Sequence, residues 1–83
     1  MKFKKEKVED LMNPGSAVAV YTKEQESPDG VGFTLRADSM GVRMFGPLTF
    51  GSDEDLQDFA KALSDAWKDH ILFSRAIKSK LII

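Results

Sequence analysis

This sequence predicts a two-layer α+β fold: an antiparallel sheet of three or four strands, one long helix packed on one face, and short helical segments at the two ends. Three observations carry the prediction. Apolar residues alternate with a period of two over 17–23 and 31–37, a tight turn at 38–41 leads into a third alternating run, and helical periodicity begins directly after Gly51-Ser52. The 83 residues fit a single domain, 1–83, near the lower end of what can bury a self-sufficient core.

At the N-terminus, Val8, Leu11 and Met12 are spaced for one or two helical turns while Phe3 sits off that stripe, so both helix and strand remain open for 4–12. Asn13-Pro14-Gly15 ends the segment, because proline lacks an amide donor and glycine tolerates turn geometry. The run Ala17-Val18-Ala19-Val20-Tyr21-Thr22-Lys23 is a strand with Val18, Val20 and Thr22 on one face and Ala19, Tyr21 and Lys23 on the other. A polar connection covers 24–30.

The next strand sets Val31, Phe33, Leu35 and Ala37 against Gly32, Thr34 and Arg36. Asp38-Ser39-Met40-Gly41 suits a hairpin turn, which pairs Ala37 with Val42, Leu35 with Met44, Arg36 with Arg43 and Thr34 with Phe45. That register gathers the aliphatic residues of the hairpin on one face, and a one-residue slip would scatter them. Gly46-Pro47 interrupts the pattern, and 48–50 is expected to form a short edge strand.

Ser52 is the expected N-cap of the long helix, with Asp53, Glu54 and Asp55 placed where free amides and the helix dipole stabilise negative charge. Its expected buried stripe is Leu56, Phe59, Ala60, Leu63, Ala66 and Trp67. Leu72, Phe73 and Ala76 fall off that stripe. Either the helix breaks near Asp69-His70 and a shorter helix follows, or one helix carries a second apolar flank.

Twelve basic and thirteen acidic side chains leave a net charge of −1, which argues against a binder driven by overall charge. No cysteine is present, so disulfides and thiolate zinc sites are excluded, and a reducing, cytoplasmic setting is the natural expectation. Neither a signal peptide nor a membrane span is expected, since no long apolar run follows the charged start. With one histidine, a His-based metal site would need several carboxylates to converge on His70, and Asp69 beside it points to a different side of the helix; no serine lies in a nucleophile elbow. His70 reads as a surface or boundary residue, and Asp53, Glu54, Asp55 and Asp58 as a helix cap without calcium-loop spacing. No glycine-rich phosphate loop precedes a helix, so no cofactor is expected, and enzymatic activity is not.

Two features exceed this background. The hairpin register and the alternation of 17–23 place Tyr21, Lys23, Arg36, Arg43 and Phe45 on a cationic-aromatic sheet face away from the core. The C-terminal segment from Ile71, with Leu72 and Phe73, holds more apolar surface than one stripe needs. It either folds back on the core or forms a homodimer or partner interface.

Val18-Ala19-Val20-Tyr21 opening a sheet, and Phe50-Gly51-Ser52-Asp53-Glu54-Asp55-Leu56 leading into a helix, give a layout that resembles several small phage-encoded proteins, anti-CRISPR proteins among them. The order of strands before one long helix is similar to that of a family of transcriptional coactivators. Neither likeness carries a functional residue over. The expected function is a non-enzymatic interaction module that binds a larger cytosolic protein or complex as inhibitor, adaptor or regulator. The alternative is a single-stranded nucleic-acid binder using the cationic-aromatic face.

Overall fold

A computed structural model describes residues 3–9, 14–23 and 32–82. It contains β1 (Phe3–Val8), a 3₁₀ turn (Pro14–Ser16), β2 (Val18–Lys23), β3 (Thr34–Asp38), β4 (Gly41–Phe45) and α1 (Asp53–Ile82). The strands form one antiparallel sheet in the order β1-β2-β3-β4, and α1 packs on one face of it. The two-layer α+β architecture is therefore as the sequence predicts. Of the segment 4–12 left open between helix and strand, the part up to Val8 belongs to β1, and 10–12 lie outside the described residues. The connection over 24–30 and the side chains of Leu81, Ile82 and Ile83 lie outside the described residues.

The hairpin register is the one read from the sequence, Arg36 opposite Arg43 and Leu35 opposite Met44. Asp38 also pairs with Gly41, so the loop proper is only Ser39 and Met40. Asp38 Oδ1 accepts a hydrogen bond from the Met40 amide at 2.8 Å, and Gly41 has φ of +149°, a backbone region that glycine enters without steric cost. No edge strand forms over 48–50, which is irregular, so that expectation is corrected. Gly46 turns the chain out of the ladder with φ of +89° before Pro47, which has no amide to give to a further one.

β2 pairs with β3 so that Tyr21 lies opposite Leu35 and Ala19 opposite Ala37. Residues paired across an antiparallel ladder share a face, so Tyr21 and Lys23 face the helix and Val18 and Val20 face away. The assignment of Tyr21 and Lys23 to the outer face is thus overturned. Ala19, Leu35 and Ala37 are fully buried beneath α1, with Tyr21, Phe33, Ala62, Ala66 and Phe73 around them. Alanine on both surfaces lets helix and sheet approach closely at the centre. A ring cluster closes one end, Phe33 lying 6.3 Å from Phe3 and 5.7 Å from Phe59, and Phe59 lying 5.4 Å from Phe50.

α1 runs unbroken for 30 residues, so no break occurs at Asp69-His70. Ser52 caps it as expected, its Oγ accepting from the Asp55 amide at 3.2 Å, while the Asp55 carboxylate accepts from the Gly51 amide at 3.2 Å. The buried stripe, however, is rotated from the expected one. Ala62, Ala66, Asp69 and Phe73 are buried, Phe59 and Leu63 are half-buried, and Leu56, Ala60 and Trp67 are exposed. Trp67, expected in the core, is 53% exposed. Among the described residues no helix is long and apolar enough to cross a membrane.

Candidate functional site

Three surfaces remain once the core is assigned. The first is a polar cleft where β1 meets α1, of about 510 Å³, lined by Phe3, Lys5 and Tyr21 from the sheet and by Asp58, Ala62 and Asp65 among the helix residues. Behind the lining residues Tyr21 and Lys5, the buried Asp69 carboxylate accepts a hydrogen bond from the Tyr21 hydroxyl and meets Lys5 Nζ at 3.2 Å. Lys5 Nζ also lies 5.2 Å from the Tyr21 ring centroid. Burial pushes the Tyr21 phenol above its usual value, and the bond to Asp69 adds to this. Lys5 is likewise raised, first by the Tyr21 hydroxyl and also by Asp69. The trio is a satisfied polar pin that sets the rotation of α1. It supplies neither a free base nor a nucleophile, and among the described residues no three His, Asp or Glu side chains group as metal ligands.

The second surface is the open face of the sheet, which no described element covers. Across it run two rows, Glu6-Val20-Arg36-Arg43 and Lys4-Thr22-Thr34-Phe45. Arg36 and Arg43 are exposed and directly opposed, and Phe45 is 51% exposed beside them. Arg36 Nε stands 3.9 Å from the Asp38 carboxylate, a loose pair, and Arg43 has no ion-pair partner among the described residues. Val18 and Val20 are half-buried and Val8 is 62% exposed, so the charges sit on an apolar floor.

The third surface lies on the β4 side. His70 donates from Nδ1 to the Asp38 carbonyl at 2.8 Å, which anchors α1 to the β3–β4 turn, and the Trp67 ring leans on His70 at 4.9 Å between centroids. Met44 points to the helix side of β4 yet is 60% exposed, because α1 centres on β3 and covers the β4 edge only in part.

The sequence-derived candidates divide accordingly. Arg36, Arg43 and Phe45 come together on the open face. Tyr21 and Phe73 are core residues, and half-buried Lys23 lies on the helix face. Phe73 packs under Lys7, whose Nζ is 5.5 Å from its ring centroid. Leu72 is exposed on the β1 flank of α1, apart from the rest. Sequence reasoning missed Asp69. Its spacing of three from Ala66 and four from Phe73 is the available signal, masked because aspartate is seldom buried unless paired. Comparisons with protein-family models, curated proteins and solved structures find no match.

Proposed function

We propose that the chain is a non-enzymatic interaction module that docks the open face of its sheet on an acidic, partly apolar surface of a larger protein, as an inhibitor, adaptor or regulator in a reducing compartment. The observation that carries this reading is the direct opposition of Arg36 and Arg43 on an uncovered face. Like charges in a cross-strand pair cost a few tenths of a kcal/mol up to about 1, and Asp38 offsets this on one side only. A partner's carboxylates would reverse the sign, because guanidinium forks meet carboxylates with two bonds each. Phe45, Val20 and Val18 supply the apolar contact that gives such an interface area.

Against a nucleic-acid partner stand Glu6 and Asp38, which interrupt the cationic face, and the loss of Tyr21 to the core, which leaves Phe45 as its aromatic among the described residues. The test is capture from a native extract with wild-type protein and with Arg36→Glu/Arg43→Glu, both checked for equal thermal melts. A defined protein retained by the wild type and lost by the double variant supports the proposal. Equal capture by both removes this face from consideration. Retention of single-stranded nucleic acid that elutes with salt transfers the role to the alternative partner.

A further inference from the structure

We propose that the chain forms a two-fold symmetric homodimer in which β4 pairs antiparallel with β4 of a second copy, Met44 lies on the axis, and the Trp67 flanks of the two helices meet above it. This goes beyond the open-face reading; it shares Arg43 and Phe45 with that face but rests on the β4 edge and the Trp67 flank of α1. The two sheet edges differ in chemistry. β1 carries Lys4, Lys5, Glu6 and Lys7, charges that keep an edge from pairing with its own kind, whereas Arg43 is the sole charge of β4. α1 shows the same asymmetry. Its β1 flank bears Glu54, Asp58, Lys61, Asp65 and Lys68, while Leu56, Ala60, Leu63, Trp67 and Ile71 run along the β4 flank, which carries no charged side chain between Leu56 and Ile71.

Symmetry selects the register. An axis through Arg43 would set two guanidinium groups face to face, an unfavourable pair. An axis through Met44 instead sets each Arg43 opposite Phe45 of the other copy, two cation–π contacts on the open face, and stacks the two Met44 side chains on the helix face. The helices then lie on the same side. Each sits over its own β3, three strand spacings from the other, so their axes stand about 14 Å apart. Packed helices come within about 8–10 Å, and the surplus is what a tryptophan fills. Phe59 meets Phe33 and His70 meets Asp38, so the helix level beside Leu35 and Met44 is that of Leu63 and Trp67. Met40, Met44, Phe45, Leu56 and Trp67, exposed by 80, 60, 51, 49 and 53%, offer on the order of 600 Å² per copy. With the paired backbone added, that approaches the roughly 800 Å² per partner of a stable interface. The merged sheet would join the two Arg36/Arg43 clusters into one continuous surface.

The absence of cysteine makes the test clean. Sedimentation of the wild type should give about twice the 9.3 kDa chain mass, and Trp67→Glu should weaken association at least tenfold while keeping its helical circular dichroism. Met44→Cys should form an intermolecular disulfide on mild oxidation, since directly opposed strand residues fall within disulfide reach at about 5.5 Å, while Arg36→Cys should not. A wild type that stays monomeric at millimolar concentration overturns the proposal. So does a dimer that survives Trp67→Glu and leaves Met44→Cys unlinked, and so does association only with a different protein.

Discussion

The Tyr21 hydroxyl donates a hydrogen bond to the Asp69 carboxylate across the interface of the two layers, joining the centre of β2 to the middle of α1. Lys5 completes the pin from the outside. Tyr21→Phe leaves a buried carboxylate short of a charge-assisted bond and should cost about 1.5–3 kcal/mol in urea unfolding. Lys5→Ala should cost about 1 kcal/mol or less, since the Lys5 side chain is 43% exposed. Equal losses for the two would show that the carboxylate is held by Lys5 instead.

The same pin makes the fold sensitive to alkali. Tyr21 and Lys5 both have folded-state values raised above the ordinary 10.0 and 10.5. Between the unfolded and folded values the native state binds more protons, so stability is fully present below about pH 10 and falls as pH rises through the folded values. The chain has one tyrosine, so its absorbance titration reads Tyr21 alone. The midpoint should exceed 10.0, and Tyr21→Phe should flatten the alkaline loss of thermal stability.

Phe73 and Trp67 should respond in opposite ways to truncation. Phe73 is 3% exposed and Trp67 53% exposed, so Phe73→Ala should cost about 3–5 kcal/mol and Trp67→Ala about 1 kcal/mol or less in the monomer. Native emission from Trp67 should resemble that of a solvated indole in dilute protein and shift to the blue as concentration brings two copies together. A blue-shifted spectrum in a sample that sediments as a monomer would place the ring in the core after all.

Gly46 should tolerate no side chain. Its φ is +89°, and a Cβ built there would lie 2.0 Å from the Gly32 carbonyl oxygen, a backbone atom that cannot rotate away. Gly46→Ala should destabilise by about 1–3 kcal/mol in chemical denaturation. Gly41→Ala meets no atom within 4 Å and carries only the cost of its φ, so it should be the milder change.

These contrasts show where the sequence was legible. The β3–β4 register followed from local chemistry, an aspartate and a glycine bracketing a turn between two alternating runs, and Arg36 opposite Arg43 came with it. The Ser52 cap was equally local. Facing was not. Val18-Ala19-Val20-Tyr21 offers an apolar residue at every position, so alternation alone cannot say which set meets the helix; the pairing of Tyr21 with Leu35 decides it. On α1 the largest apolar side chains drew the expected stripe toward Trp67. Burial follows instead the small Ala62 and Ala66, which fit above Ala19 and Ala37, and Asp69, whose burial depends on a tyrosine 48 positions away.

The most direct test of the open-face reading is an amide chemical-shift titration of the labelled protein with the protein it captures. Perturbations are expected at Val20, Thr34, Arg36, Arg43 and Phe45, with the cleft residues Asp58, Ala62 and Asp65 unmoved. Shifts concentrated on the cleft, with Arg36 and Arg43 unchanged, would contradict it.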